Sequence, residues 1–550
     1  MSCTVIRGNL VDALARSMQP VEIQLRDGKI SSILPLDGSV PDLSLPFILP
    51  GFIDAHVHIE SSMLIPSAFA ALAVTHGTVA TVSDPHEIAN VCGMEGVKFM
   101  IENGRKVPFK FYFGAPSCVP ATVFETAGDS LDPDQVRSLL EMDEVKYLSE
   151  MMNFPGAIAG DPEVMAKMDA AKALGKPVDG HAPGLRGEAL KTYVERGIST
   201  DHECFTLNEA LEKIALGMKV IIREGSAAKN FDALHPLIDI YPAMIMFCSD
   251  DKHPDSLAAG HINQLCARAV AEGHDVFHVI QAACINPVWH YKLEVGLLRE
   301  GDPGDMVLID NLRDFTVLAT YINGRKVAEK GKTLIDTRSI NIQSINRFEI
   351  GEITKEELRL SASGKYPHPV IGCKDGQLIT DKRESSPLEE NGTWQSNIQN
   401  DVLKMVVVNR YHQAPVAIAF VHAFGLKAGA IASSVAHDSH NIVAVGVDDE
   451  SLCKAINLVI QAKGGVSCVG SNRAWMLPLP IGGLMSADDG HTVAEAYTAI
   501  DLAAKALGST LSAPFMSLSF MALLVIPHVK LSDKGLFDGD AFNFYQPLQN

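Results

Sequence analysis

The chain has 550 residues, of which 47% are hydrophobic and 20% are charged. This length and composition support several packed cores, so a single small module and wholesale disorder are both excluded. The 46 lysines and arginines against 66 aspartates and glutamates leave a net charge of -20, which repels phosphate backbones and anionic lipid headgroups. We therefore expect neither nucleic acid nor a membrane as a partner.

The first residues and the cysteines bear on the location of the protein. The chain begins MSCTVIRGNLVD, without a basic segment followed by an apolar one, so no secretory signal is expected. Ten cysteines without a CxxC pair are typical of reduced thiols. The longest apolar stretch, residues 515–526, is too short to cross a bilayer and predicts a buried strand or helix. Together these features predict a cytoplasmic protein.

Two segments of short alternating strands flank the middle of the chain. Residues 1–47 and 293–340 contain such strands, separated by Asp-Gly and Asn-Gly pairs that are typical of hairpin turns. We predict that the two segments form one small β domain, split by the chain between them.

Residues 48–292 repeat one pattern, in which a short apolar run precedes a polar or glycine-bearing loop and a helical stretch. Pro66 is suited to a first helical position, and Asp161 and Gly175 are suited to begin and end another helix. Eight apolar runs are present, at residues 52–59, 77–83, 109–114, 145–151, 177–181, 198–202, 219–222 and 243–249. This α/β alternation predicts a (β/α)8 TIM-type barrel, with a doubly wound open sheet as the structural alternative.

The last part of the chain, residues 345–550, predicts an additional α/β domain. A charged, turn-rich passage precedes strand-like runs at residues 405–408, 416–421 and 442–447. The segment DESLCKAINLVIQAKGG then predicts an amphipathic helix between aspartate and glycine.

Metal-ligating side chains lie at the ends of the predicted barrel strands, where a barrel gathers its functional groups into one pocket. His56 and His58 alternate on the first run, so both imidazoles face one side. The full set is His56 and His58 on the first run, Glu150 on the fourth, His181 on the fifth, His202 on the sixth, and Asp250 and Asp251 after the eighth. Two adjacent cations bridged by a carboxylate and a hydroxide suit this set better than one tetrahedral ion.

Each candidate ligand also has an ordinary explanation when it is taken alone. An HxH pair arises by chance in many proteins, and a lone histidine at a strand end is more often a structural hydrogen-bonding group. Glu150 would serve equally in an ion pair, and Asp250 as a cap. The joint pattern is far more specific, because every ligand type coincides with a strand end.

The motif GFIDAHVHIESSM, with lone histidines on later runs and an aspartate after the eighth, resembles the amidohydrolase superfamily of metal-dependent hydrolases. Further motifs are similar to the bacterial-type adenine deaminases: TVATVSDPHEIANV, YLSEMMNFPG, VDGHAPG, STDHECF, IIREGSAAKN, MFCSDDKHPD and GAIASSVAHDSHNIVAVG. The resemblance covers nearly the whole chain, including a C-terminal domain that most amidohydrolases lack.

The resemblance implies hydrolytic deamination of adenine to hypoxanthine and ammonia in purine salvage. It implies two metal ions per site, manganese(II) first, with iron(II) or zinc as alternatives. The implied roles are His56 and His58 on one metal, Glu150 as the bridging carboxylate, His181 and His202 on the second metal, and Asp250 as ligand and proton carrier. Asp251 is the alternative to Asp250. A homo-oligomer, dimer or higher, is also expected.

Two motifs after predicted barrel strands are candidates for substrate binding. Asp84, His86 and Glu87 follow the second run, where a turn and helix cap would explain them equally well. As functional residues they would either orient the purine or bind a further metal ion. After the seventh run, Arg223 and Glu224 would form a solvated ion pair in the ordinary interpretation. In the functional interpretation of this motif, Glu224 or Ser226 forms hydrogen bonds with ring nitrogens of the purine.

A third candidate lies in the C-terminal domain, in the run HDSHN. Its ordinary interpretation is a polar hairpin tip. Its functional interpretation, which the resemblance favours, is a loop that closes over a purine from another domain or subunit through His437, Asp438 and His440.

Three other functions compete with this one. Cyclic-amide hydrolases of the same superfamily bridge their metals with a carbamylated lysine, but the matching strand end carries Glu150, with Lys146 four residues earlier. Mononuclear nucleoside deaminases expect His-Ala-x-Glu on the fifth strand, where this chain has Gly184 in place of the glutamate. A catalytically dead barrel typically loses metal ligands, and all six are intact here.

Overall fold

The structure, a computed structural model, describes residues 4–36, 40–362 and 364–546. The chain begins with four strands: β1 (Thr4–Asp12), β2 (Ser17–Arg26), β3 (Lys29–Pro35) and β4 (Phe47–Pro50). Asp27 and Gly28 join β2 to β3 with φ of 51° and 81°. Two consecutive positive φ values are what a type I′ hairpin turn requires, which explains the Asp-Gly pair.

Eight parallel strands follow, and each predicted apolar run overlaps one of them. They are β5 (Phe52–Val57), β6 (Thr78–Ser83), β7 (Lys110–Ala115), β8 (Val145–Met151), β9 (Val178–Gly180), β10 (Thr200–Asp201), β11 (Lys219–Arg223) and β12 (Ile245–Cys248). Strands β5 to β9 form a five-stranded parallel sheet, and β10 to β12 form a three-stranded one. Isolated parallel bridges join Val178 to Ile198 and Val57 to Asp250, at the two places where the sheets adjoin.

Helices alternate with these strands. They are α1 (Pro66–Ala73), α2 (His86–Gly104), α3 (Pro133–Leu140), α4 (Phe154–Ala159), α5 (Pro162–Ala173), α6 (Gly187–Glu195), α7 (Leu207–Ala215), α8 (Phe231–Leu234), α9 (Leu237–Ile240), α10 (Pro254–Ala259), α11 (Ile262–Ala271), α12 (Val276–Ile280) and α13 (Asn286–Tyr291). Pro66 occupies the first position of α1, and Asp161 caps α5 by accepting hydrogen bonds from the backbone amides of Glu163 and Val164. Both predicted helix starts are confirmed.

The chain then returns to the first sheet. Strands β13 (Met306–Ile309), β14 (Val317–Ile322), β15 (Arg325–Glu329) and β16 (Lys332–Thr333) join β1 to β4 in one eight-stranded sheet, in the order β16-β15-β14-β13-β4-β1-β2-β3. Strand β4 pairs antiparallel with β13 and parallel with β1. The two flanking segments therefore share one sheet although about 250 residues separate them.

The C-terminal part is built around a mixed sheet in the order β18-β17-β22-β21-β24-β23-β25-β26. The strands of the whole C-terminal part are β17 (Val370–Gly372), β18 (Asp381–Arg383), β19 (Leu388–Glu390), β20 (Thr393–Gln395), β21 (Val402–Val408), β22 (Ala417–His422), β23 (Ala430–Ser433), β24 (Ile442–Gly446), β25 (Gly465–Val469), β26 (Ala474–Pro478), β27 (Val529–Ser532), β28 (Gly535–Asp538) and β29 (Asn543–Phe544). Strands β19 and β20 form a separate two-stranded sheet, and β27 to β29 a three-stranded one. Its helices are α14 (Asp449–Gln461), α15 (Gly490–Ala506) and α16 (Pro514–Phe520). The three strand-like runs and the amphipathic helix of this part are confirmed.

The C-terminal part packs against the end of the parallel strands that carries the predicted ligands. The Asn441 side-chain amide donates to the Thr126 carbonyl at 2.9 Å, and the Thr126 amide donates to Asp533 at 2.9 Å. The apolar run at 515–526 contributes α16, whose residues are all buried. In the part of the chain that the structure describes, no helix is both long and apolar enough to cross a membrane.

Candidate metal centre and substrate pocket

His56 and His58 converge at the end of β5. Their Nε2 atoms lie 3.2 Å apart, and both face Oδ1 of Asp250, at 3.3 and 3.1 Å. Both rings are buried. The alternation of side chains along the strand thus brings the two imidazoles to one point, as the HxH spacing predicts.

Glu150, near the end of β8, lies at the centre of the cluster. Its Oε1 is 3.4 Å from His58 Nε2, while its Oε2 is 2.8 Å from His181 Nδ1 and 3.0 Å from His202 Nε2. Burial alone would raise the pKa of Glu150, but His181 and His202 outweigh it and hold that pKa well below its ordinary range. One ionised carboxylate therefore contacts histidines from three strands, with a different oxygen on each side.

Asp250 lies opposite Glu150 and is paired with Arg223. Its Oδ2 accepts a hydrogen bond from Arg223 at 2.6 Å, and the same guanidinium forms a bidentate pair with Glu203. Burial would raise the pKa of Asp250, but Arg223 and the two histidines His56 and His58 keep it well below its usual value. The carboxylate is thus held ionised.

Asp251 lines the cavity beside this cluster, but its contacts are with other residues. Its Oδ1 accepts a hydrogen bond from the Ser61 hydroxyl at 2.5 Å and lies 3.6 Å from His437 Nε2. Burial raises the pKa of Asp251, and the charge of Asp250 adds to this effect while His437 opposes it. The geometry therefore favours Asp250 over its neighbour as the residue that faces the histidines.

Two residues that sequence reasoning did not select belong to this cluster. Glu203 is buried, and its Oε1 lies 3.6 Å from His202 Nε2 and 3.8 Å from His181 Nδ1. Its signal was its position next to His202 in STDHECF. Arg223 was interpreted as one half of a solvated pair with Glu224, but its side chain is buried and contacts Glu203 and Asp250 instead.

Asp84 and His86 adjoin the same cluster. His86 Nδ1 lies 3.2 Å from Asp84 Oδ2 and 3.5 Å from Glu150 Oε1, and His58 Nδ1 lies 3.2 Å from the Asp84 carbonyl. The motif after the second run is therefore packed into the site and is more than a turn and helix cap.

The donor set fits a metal centre. Ligand atoms lie within 4.8 Å of one another in several overlapping groups, among them His58–Asp84–His86–Glu150, His56–His58–Asp250, His56–Glu150–His202 and His181–His202–Glu203. Buried carboxylates at this density require cations, and imidazole with carboxylate is a ligand chemistry suited to manganese, iron and zinc. Two of these groups share Glu150, and the others overlap with them through His56, His58 and His202.

The loop between β23 and β24 reaches this site from the C-terminal part. His437 Nδ1 lies 2.5 Å from Glu87 Oε1, the His440 ring contacts the other Glu87 oxygen, and Asp438 lies 3.9 Å from His86 Nε2. Burial would lower the pKa of His437, but Glu87 and Asp251 raise it to about 9. The structure thus brings the motif after the second run, Asp84 to Glu87, together with the HDSHN motif of the C-terminal domain.

Glu224 and Ser226 are not brought to the cluster. Glu224 contacts Arg268 at 3.1 Å and Lys229 at 3.8 Å, and the Ser226 hydroxyl lies 3.0 Å from that of Ser256. Both side chains belong to the outer side of the loop after β11.

The cavity beside the cluster is small and covered by apolar side chains. It has a volume of about 20 Å³, and Leu378, Phe520 and Leu523, here called the capping residues, line it opposite the histidines and carboxylates. The ammonium of the buried Lys530 donates hydrogen bonds to the carbonyls of Leu378 and Phe520, at 2.6 and 2.8 Å. A space of this size holds about one water, so a purine enters only if the capping residues move.

Lys530 should make stability depend on pH. Burial lowers its pKa to about 7, against about 10.4 in an unfolded chain. Between these values the unfolded state binds more protons, so the stability of the wild type rises with pH, whereas below about 7 this contribution is flat. Between these two pKa values, the free energy of unfolding of the wild type minus that of Lys530→Met should increase by about 1.4 kcal/mol per pH unit. Urea denaturation of both proteins at several pH values measures this difference, and a constant difference would contradict it.

Comparison with known proteins decides the family. The model of the "Amidohydrolase family" matches residues 47–327, and that of the "Adenine deaminase C-terminal domain" matches residues 377–543. The chain is 54% identical over 540 residues to an adenine deaminase of Sulfurovum sp. (strain NBC37-1), and 54% identical over 541 residues to one of Salinibacter ruber (strain DSM 13855 / M31). Each match covers 98% of both chains. The chain belongs to the adenine deaminase family.

Family membership agrees with the geometry of the two matched parts. The amidohydrolase part contains the parallel strands and all six candidate ligands, and it implies a metal cofactor. The part matched to the adenine deaminase C-terminal domain contains His437, His440 and the capping residues. The part matched to the adenine deaminase C-terminal domain therefore forms the covered side of the site.

Proposed function

We propose that the protein deaminates adenine hydrolytically to hypoxanthine and ammonia, and so acts in purine salvage. The observation that carries this proposal is the single carboxylate, Glu150, in contact with His58, His181 and His202, with Asp250 opposite it. Together with the adenine deaminases to which the chain is about half identical, this arrangement supports a hydrolase that uses two metal ions.

We propose manganese(II) as the resident metal, two ions per site, with iron(II) or zinc as alternatives. When bound, the cations supply the positive charge that lowers the pKa of water towards neutrality. The residues that would hold them are His56 and His58 for one ion, His181 and His202 for the other, Glu150 between them, and Asp250 as a further ligand.

Asp250 is proposed to move the proton. It accepts a proton from the water that attacks the ring carbon bearing the amino group, and it passes this proton to the departing nitrogen. The nitrogen must leave as ammonia, because an amide anion is a very poor leaving group. Arg223, paired with Asp250 at 2.6 Å, orients the carboxylate and keeps it ionised before the reaction.

Substrate binding is proposed for the polar residues on the covered side. Glu87, His437, Asp438 and His440 form one buried network that crosses from α2 to the C-terminal loop. Such a network discriminates among ligands by leaving buried groups unpaired when the wrong ring is bound. Asp84 and His86 lie between this network and Glu150, so they serve either the metal edge or the purine. Glu224 and Ser226 lie outside this network, so no substrate contact is proposed for them.

We also propose a domain layout from these contacts. Residues 48–292 form a (β/α)8 barrel, closed by the bridges at Val178–Ile198 and Val57–Asp250. Residues 1–47 and 293–340 form the small β domain, and residues 345–550 form an α/β domain that lends a loop to the active site of its own chain. The cytoplasmic location and the homo-oligomer stay predictions.

Metal removal tests the proposed function. Protein stripped with a chelator should release neither ammonia nor hypoxanthine from adenine, and reloading with manganese(II) should restore both, because the attacking water needs the cations. Ammonia and hypoxanthine are measured in the same samples. Absence of release under every metal loading, in protein whose circular dichroism shows that it is folded, would overturn the adenine assignment and direct the search to cyclic amides and other purines.

A further inference from the structure

A second cavity lies outside the metal centre, behind the loops that follow β11 and β12. It has a volume of about 250 Å³. Among its lining residues are Glu224, Lys229, Lys252, Ser256, Gln264 and Arg268. Three cationic side chains thus face one carboxylate, on a protein whose net charge is -20. A positively charged cavity on so acidic a chain calls for a specific explanation.

The three cationic side chains of this cavity differ in whether a carboxylate pairs with them. Arg268 lies 3.1 Å from Glu224 and also contacts Asp232, and Lys229 lies 3.8 Å from Glu224. Lys252 is different, because its side chain has no hydrogen bond or ion pair with any residue that the structure describes, although the residue is only 6% exposed. The carboxylates of Asp54, Glu224 and Asp255 act on it only at longer range. The Lys252 ammonium thus lines the cavity without a contact partner, and an anion from solution would pair with it there.

We propose that this cavity binds a phosphoryl group. Lysine and arginine are the side chains that bind phosphate oxygens most strongly, and the cavity presents Lys252, Lys229 and Arg268 for this purpose. The Ser256 hydroxyl and the Gln264 amide border the same space and donate hydrogen bonds to the remaining oxygens.

The size of the cavity agrees with this ligand. Since a water occupies about 30 Å³ of the liquid, the space accommodates a phosphoryl group with several waters. The chemistry is shared by inorganic phosphate and by the phosphoryl group of a purine nucleotide. This inference is independent of the proposed reaction, because none of its six residues belongs to the metal centre.

Calorimetric titration of the metal-loaded protein with inorganic phosphate tests the site. One phosphate per chain is expected to bind with a Kd of about 1 mM or lower. Lys252→Met should abolish this binding. Lys229→Glu, a charge reversal at a side chain that is 55% exposed, should raise the Kd at least about tenfold. The exposed Lys454→Met on α14 is the matched control and should leave the Kd unchanged.

Adenosine monophosphate in a parallel titration separates the two sources. A lower Kd for the nucleotide than for phosphate, lost in the same variants, would identify a nucleotide phosphoryl group as the ligand. An equal or higher Kd would identify free phosphate. Phosphate bound at the metal centre instead would survive both lysine variants, and that result, or no saturable binding up to about 10 mM phosphate, would overturn the proposal.

Discussion

Glu150→Gln is expected to lower the rate of adenine deamination on the order of a thousandfold, which corresponds to about 4 kcal/mol of transition-state stabilisation. The carboxylate contacts His58 with one oxygen and both His181 and His202 with the other. Glutamine keeps the shape but offers only one oxygen and no charge, so it cannot hold both sides of the cluster. Ammonia release with saturating manganese(II) measures the loss.

The metal content of Glu150→Gln should fall along with its activity. The matched control is Glu188→Gln, the same chemical change at a side chain that is 85% exposed on α6, which should alter neither quantity. Metal analysis of the two purified variants, beside the wild type, gives the comparison. A Glu150→Gln variant that retains both ions and more than about a tenth of the activity would show that this carboxylate does not join the two halves of the site.

The strands and the main ligands were predictable from the sequence because both follow from short-range patterns. The apolar run at residues 145–151 coincides with β8, and the HxH spacing alone places His56 and His58 on one side of a strand. Parallel strands that alternate with helices bring their carboxyl ends together, so residues at those ends share a pocket before any contact is known.

Glu203 and Arg223 could not be placed in this way. Both stand beside another polar residue at a strand end, and the sequence does not tell which of these polar side chains are buried. Arg223 resembles a surface cation until its partners, 20 and 27 residues away, are seen to be buried carboxylates. Charge pairing across strands decided the outcome.

The covered side of the site depends on contacts that are more distant still. His437 lies 350 residues from Glu87 in the chain, and Lys530 lies 152 residues from Leu378. Local patterns predicted a polar hairpin tip at HDSHN, and only the packing of the C-terminal part on the parallel strands turns that tip into a wall of the pocket. Such long-range docking leaves no periodic signal in the sequence.

Asp250→Asn is expected to lower kcat between about a hundredfold and ten-thousandfold while much of the metal is retained, because proton transfer is lost and five candidate ligands remain. Asp251→Asn makes the same change one residue along the chain, where the carboxylate contacts Ser61 and not His56 or His58, so its effect on kcat should stay below about tenfold. Steady-state kinetics and metal analysis of the two variants form a matched pair. If Asp251→Asn proved the more damaging, the proton carrier would be the neighbour, and the hydrogen bond from Arg223 to Asp250 would be only a structural pair.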